Sequence, residues 1–292
     1  MSNCHRKGCT RTRSGLRTLL NRSRTPQFGG QDFCSEDCLR AQIEAELQER
    51  WHQLQREKGR RSLRPRLGTI LLERSFITPD QLEAAIRMQR QARRGRLGEW
   101  LVRLGHIEEH QITLALSRQF GIPVINLQNA PARTDAVKLV PGLVARNGNL
   151  VPVGYVDDYS AIRIATCGPV DFGLQDAIRR MSGMGVKTYI GDETAVQSRL
   201  AQFYSPEELD LSGVPAYHSL SDLMDISSSV IATARELRAA NIQCELVGDY
   251  FWVRLDCESV NRHMFYLNQA TQIPDLETVC VRELNLAAIP AH

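Results

Sequence analysis

RLGTILLERSFITPDQLEAAIRMQ (Arg66–Gln89) and RLGEWLVRLGHIEEHQITLALSRQ (Arg96–Gln119) are two copies of one pattern. They lie 30 residues apart, from Arg66 to Arg96, and align without a gap. A fixed-period repeat of this kind marks one supersecondary unit that has been copied. Each copy predicts a helical hairpin. Leu71, Leu72, Leu101 and Val102 belong to a short first helix. Ser75 and Gly105 stand where that helix must end, a position at which glycine is favoured because it takes left-handed backbone angles freely. Thr78 followed by Pro79, and Glu108 with Glu109, suit the start of a second helix. Leu82, Ala85, Ile86 and Gln89, then Ile112, Ala115, Leu116 and Gln119, recur at helical spacing.

The opening triplet of each copy carries chemistry. Gly68 and Gly98 allow a ligand to approach the backbone, and free N–H groups at a helix start attract phosphate. The Arg66 and Arg96 guanidinium groups can fork onto guanine or stack on it. Leu67 and Leu97 offer the base an apolar floor, and Gln89 and Gln119 would shape the pocket. Two such sites suit a ligand with two identical halves, and cyclic di-GMP is such a molecule.

The tandem pattern, Arg-Leu-Gly followed by paired apolar residues and a second helix ending in Gln, resembles the N-terminal domain of type II secretion and type IV pilus assembly ATPases. The resemblance spans roughly residues 64 to 204. It implies a cyclic-di-GMP receptor module, with a secretion or pilus machinery protein as partner. Two positions depart from the family pattern. Ser75 replaces the first copy's glycine, and His106 takes an apolar position in the second. The family's phosphate-binding loop, of the type G-x-x-x-x-G-K-[ST], is missing: Gly183-Met184-Gly185-Val186-Lys187-Thr188 has some of the letters in the wrong order. With no paired-carboxylate or Ser-His-Asp grouping either, the expectation is a non-enzymatic protein.

Composition sets the frame. A chain of 292 residues predicts two or three domains, and 42% hydrophobic residues supply ordinary globular cores. A net charge of +3 demands no nucleic-acid partner. No apolar run is long enough to span a membrane, and there is no apolar leader, so no membrane insertion is expected. Eight cysteines without a leader suggest a reducing, cytoplasmic setting.

Cys4, Cys9, Cys34 and Cys38 are spaced to wrap one tetrahedral structural zinc, with His5 a substitute for Cys4. Between the pairs lie Arg11, Arg13, Arg17, Arg22 and Arg24, with only Phe28 and Phe33 as aromatics. A zinc-ribbon nucleic-acid binder is therefore the weakest reading, and a solvated or partner-binding loop is preferred. Leu39, Ile43, Leu47, Trp51 and Leu54 stripe a long helix, and Lys58 to Ser62 reads as a hinge.

The expected fold class is α+β and multidomain. A zinc ribbon with its helix fills 1–62. A 63–204 domain carries the tandem hairpins and an α/β layer over 123–204. A 205–218 linker leads to a C-terminal α-β-β-α domain over 219–292, with a hairpin at Gly248-Asp249 and a last helix over Ser259–Gln269. Two functional expectations follow: a receptor for cyclic di-GMP, or a ligand-free adaptor of a secretion or pilus machine.

Overall fold

The structure is a computed structural model describing residues 4–9, 25–57, 65–128, 133–156, 159–210, 212–248, 250–258 and 261–269. The five loop arginines from Arg11 to Arg24, the hinge at Lys58–Ser62, and Asp249 of the expected turn lie outside them. In chain order the elements are β1 (Gln27–Phe28), α1 (Glu36–Glu57), α2 (Leu67–Glu73), α3 (Pro79–Ala92), α4 (Leu97–Arg103), α5 (Glu109–Phe120), α6 (Thr134–Val137) and α7 (Gly142–Asn147). There follow β2 (Leu150–Tyr155), β3 (Ala161–Thr166), α8 (Phe172–Ser182), β4 (Gly185–Ile190), α9 (Glu193–Phe203), β5 (Ala216–Tyr217), α10 (Leu220–Glu236), β6 (Asn241–Val247), β7 (Tyr250–Asp256) and β8 (Asn261–Asn268). The α+β class holds, in two compact units: residues 57–212, and residues 1–56 together with 213–292.

In the unit over 57–212, the tandem hairpins precede a three-stranded sheet of order β2-β3-β4. The β2/β3 pair is antiparallel and β3/β4 parallel. Leu150, Val151, Ile162 and Ile164 of the strands are buried, as are Leu174, Ile178, Val196 and Leu200 of α8 and α9. This burial is the main force holding the layer together. Asp171 caps α8 by accepting from Leu174 N at 3.3 Å. Tyr204 Oη donates to Val140 O at 2.9 Å, so its buried hydroxyl is satisfied.

The other unit joins described residues from the N-terminal and C-terminal segments around one core. Its sheet has the order β1-β6-β7-β8-β5. Leu39, Ile43 and Leu47 of α1 share a buried cluster with Val230 and Ile231 of α10 and with Ile242, Phe251 and Leu255 of the sheet. The first and last segments, set apart in the sequence reading, are thus parts of one fold. The hairpin register is as expected: Leu246 pairs with Phe251, Cys244 with Val253, and Ile242 with Leu255.

The expected helix over Ser259–Gln269 is instead a strand, β8, so the C-terminal segment runs α-β-β-β rather than α-β-β-α. Met264, Phe265 and Tyr266 are three large side chains in succession, which a strand distributes to alternate faces. They pair with Val253, Trp252 and Phe251. Phe265 stacks on Trp252 with ring centroids 6.0 Å apart. The 205–218 stretch is also not plain linker: β5 lies within it and adds to β8 in parallel.

Candidate functional site

The two hairpins keep the 30-residue period down to single hydrogen bonds. Thr78 N donates to Gln81 Oε1 at 2.8 Å, and Glu108 N donates to Gln111 Oε1 at 3.1 Å, so each long helix opens on the same cap. The turns between helices match too. Ser75 N donates to Leu72 O at 2.9 Å and Phe76 N to Leu71 O at 3.0 Å; Gly105 N donates to Val102 O at 2.9 Å and His106 N to Leu101 O at 3.0 Å. This is the Schellman bond pattern, which needs a left-handed residue. Ser75 supplies it at φ 54° and Gly105 at φ 68°. The serine therefore keeps the turn, in a conformation that strains any side-chain-bearing residue.

Across the repeat, the contacts are reciprocal. Gln119 Nε2 donates to Pro65 O at 2.6 Å, and Gln89 Nε2 donates to Gly95 O at 2.9 Å. Each glutamine thus holds the carbonyl just before the other copy's arginine. A Cβ added to Gly68 would lie 3.1 Å from Leu82 Cδ1 and 3.6 Å from Leu97 Cδ2. One added to Gly98 would lie 3.1 Å from Ile112 Cγ2 and 3.6 Å from Leu67 Cδ2. The leucine of each opening leans on the glycine of the other. Such an exchange of equivalent contacts is an isologous, two-fold arrangement. Ile70, Leu71, Ile77, Ala85, Leu101, Ile107 and Ala115 form the shared core beneath it. The lack of a Cβ at Gly68 and Gly98 is thus used for helix packing, because Leu82 and Ile112 fill the space. Sequence spacing within one copy does not disclose that role.

The two arginines share a backbone and differ in surroundings. Arg66 has φ −72° and ψ 145°, Arg96 φ −92° and ψ 155°, both extended and immediately before a helix. Arg66 is exposed, and its guanidinium has no hydrogen-bond or ion-pair partner among the described residues. Arg96 Nη2 is paired with Glu193 Oε1 at the first residue of α9. Burial works to lower the Arg96 pKa, but Glu193, Cys167 and Glu99 outweigh it and the value is raised. Sequence reasoning missed Glu193, which lies 97 positions from Arg96.

Residues 120–210 match a family model described as the MshEN domain. The chain carries an MshEN domain. The matched stretch of the MshEN model takes in the α/β layer and begins at Phe120, the last residue of the second hairpin. Two type IV pilus assembly ATPases named PilB are similar to this chain. The one from Myxococcus xanthus is 31% identical over 150 residues, 51% of this chain and 26% of that protein. The one from Thermus thermophilus is 26% identical over 158 residues, 54% of this chain and 18% of that protein. The chain therefore spans about a quarter or less of the length of these relatives. Among solved structures, one of MshE with cdg is 32% identical, covering 48% of this chain and all of that one, with a TM-score of 0.41. One of the N-terminal domain of XpsE is 22% identical, covering 48% and 94%, with a TM-score of 0.38.

In the other unit, Cys4, Cys9, Cys34 and Cys38 place their sulfurs within 4.8 Å of one another. Cys9 Sγ is 3.6 Å from Cys34 Sγ and 3.8 Å from Cys38 Sγ, and Cys34 and Cys38 are 3.3 Å apart. A zinc–sulfur length of about 2.3 Å puts tetrahedral ligands roughly 3.8 Å apart, so this cluster fits a metal ion. His5 stands aside, its Nδ1 3.4 Å from Asp32 O. Burial would push the Cys38 thiol up, but hydrogen bonds from Cys34, Arg6 and Ser35 bring it down to about 6. Without a metal the Cys34 thiol is pushed up to about 12, first by burial. Arg6 Nη1 lies 3.7 Å from Cys38 Sγ and offsets the charge a thiolate set would carry.

Proposed function

We propose that this chain is a non-enzymatic regulatory protein that binds cyclic di-GMP across its two Arg-Leu-Gly openings and reports occupancy to a secretion or pilus machinery protein in the cytoplasm. The observation that carries the reading is the two-fold exchange of Gln89, Gln119, Leu67 and Leu97 between the copies. A ligand with two identical halves is matched by a clamp with two equivalent halves. Arg66 and Arg96 would fork onto the guanines or their phosphates. Leu67 and Leu97 would form the apolar floor, the first-turn N–H groups would meet the anionic backbone, and Gly68 and Gly98 would keep the two openings close together. Similarity to PilB supports the choice of a pilus or secretion partner. Titration calorimetry with cyclic di-GMP tests it: binding is expected, and Arg66→Ala/Arg96→Ala should lose most of the heat. A flat titration at high micromolar ligand would end the reading.

In the same proposal the four thiolates hold a structural zinc, with all four positions taken by protein and none left for catalysis. A nucleic-acid role for the ribbon is disfavoured, because Phe28 and Phe33 are 6% and 3% exposed and cannot stack on bases. The ligand-free adaptor reading has one observation in its favour, the Arg96 guanidinium already being paired with Glu193.

A further inference from the structure

The repeat makes Arg66 and Arg96 equivalent, and the rest of the fold makes them different. The cause lies in two side chains of α5 that break the repeat. Glu109 and Thr113 stand where the first copy has Pro79 and Glu83. Glu109 Oε1 accepts from Thr194 N at 2.7 Å, and its Oε2 accepts from Thr194 Oγ1 at 2.6 Å. Thr113 Oγ1 donates to Asp192 Oδ1. These bonds fix the segment Asp192–Thr194 against the second hairpin, and Glu193 between them is held on Arg96. Pro79 has no side-chain acceptor with which to do the same for the first hairpin.

We propose that Glu193 is a resident counter-ion that an anionic ligand must displace from Arg96, so that it sets the affinity of the second half-site while the first stands open. This rests on the receptor reading above. The carboxylates of Glu99 and Glu109 lie close enough to Glu193 to act on it. Burial and then the other two carboxylates raise the Glu193 pKa, although Arg96 opposes them. An arriving phosphate would meet this negative field before it met the guanidinium. The pair is nonetheless displaceable. The Arg96 and Glu193 side chains are 52% and 41% exposed, and half-exposed ion pairs contribute little stability. An Arg fork onto phosphate or guanine is the stronger interaction. Glu193→Gln removes the competing charge and leaves the Glu109–Thr194 and Thr113–Asp192 bonds in place.

The test is calorimetry with cyclic di-GMP on the full chain, on Glu193→Gln and Glu193→Ala, and on Arg66→Ala/Arg96→Ala, each at low and high salt, with melting curves to confirm folding. Both Glu193 variants should bind about five-fold more tightly at low salt, the scale of an exposed ion pair. The gain should shrink at high salt, which a purely structural effect would not do. If the parent chain binds and loses binding in the double arginine variant, but both Glu193 variants bind equally or more weakly, the inference is overturned and the receptor reading stands. If no protein in the set binds, both fall together.

Discussion

Gly68 and Gly98 are equivalent in the repeat, yet replacing each by alanine should have different effects. Alanine gains up to about 1 kcal/mol over glycine in a helix, less in the first turn. Against this stands the contact its Cβ makes. At Gly68 the new atom meets Leu82 Cδ1 at 3.1 Å and Cδ2 at 3.3 Å. Those methyls end a flexible side chain, and a small rotation of χ2 clears them, so Gly68→Ala should be close to neutral. At Gly98 the new atom meets Ile112 Cγ2 at 3.1 Å. That methyl is borne on a β-branched carbon whose χ1 is fixed within a helix, so the helix itself must move. Overpacking of this kind costs about 1–3 kcal/mol, leaving Gly98→Ala destabilised by about 1 kcal/mol. Because the chain folds in two units, a single melting point would mix them. Amide hydrogen exchange of peptides covering residues 65–120 reads the hairpins directly. Equal protection in the two variants, or greater loss in Gly68→Ala, would refute the packing argument.

Ser75→Gly should stabilise the hairpins by about 1 kcal/mol, because φ 54° strains a serine and suits glycine; hydrogen exchange of α2 and α3 reports it, and no gain would contradict the strain. Cys9→Ser should abolish stoichiometric zinc retention, and a chelator should expose β1 amides while leaving residues 65–120 unchanged; elemental analysis and exchange measure the two. His263 should make the unit holding β7 and β8 sensitive to acid. Burial first, then Arg254, lowers its pKa from 6.5 to about 4, and its Nδ1 accepts from Trp252 Nε1 at 3.0 Å. Above pH 6.5 the ring is neutral in both states and adds no pH dependence. As pH falls from 6.5 to about 4 the unfolded chain takes up a proton that the folded chain refuses, so stability declines across that window. Urea unfolding read by Trp fluorescence should show the decline, and His263→Gln should flatten it.

What the sequence disclosed was local, and what it hid was long-range. Helical spacing gave the tandem hairpins, and alternation with a two-residue turn gave the register of β6 on β7. β8 escaped because Met264, Leu267 and their neighbours carry no clean period, and its identity as a strand comes from β7, with which it pairs from Asn261 to Leu267. The shared core of the chain ends escaped because β1 is two residues long, too short to leave a pattern, and it adds to β6 in parallel. The bonds from Gln89 and Gln119 were invisible because each crosses to the other copy. Glu193 was invisible because it lies outside the repeat, 97 positions from Arg96, although Glu109 and Thr113 offered a signal. They interrupt an otherwise faithful repeat on a face that has to meet something.

The division of labour within each Arg-Leu-Gly triplet decides what mutagenesis can show. Gly68 and Gly98 are consumed by packing, since Leu82 and Ile112 occupy the space above them. Leu67 and Leu97 are only half-buried, each leaning on the partner copy's glycine, so they serve fold and surface at once. The guanidinium groups alone are spared: Arg66 has no partner among the described residues, and Arg96 has a half-exposed one. Loss of ligand binding on changing a glycine or a leucine would therefore leave the cause open between a broken clamp and a lost contact. Loss on changing the arginines, with hydrogen-exchange protection of residues 65–120 unchanged, leaves contact as the explanation. Should the double arginine variant instead lose that protection, the arginines would be structural after all, and the two-fold clamp would lose its claim to a ligand.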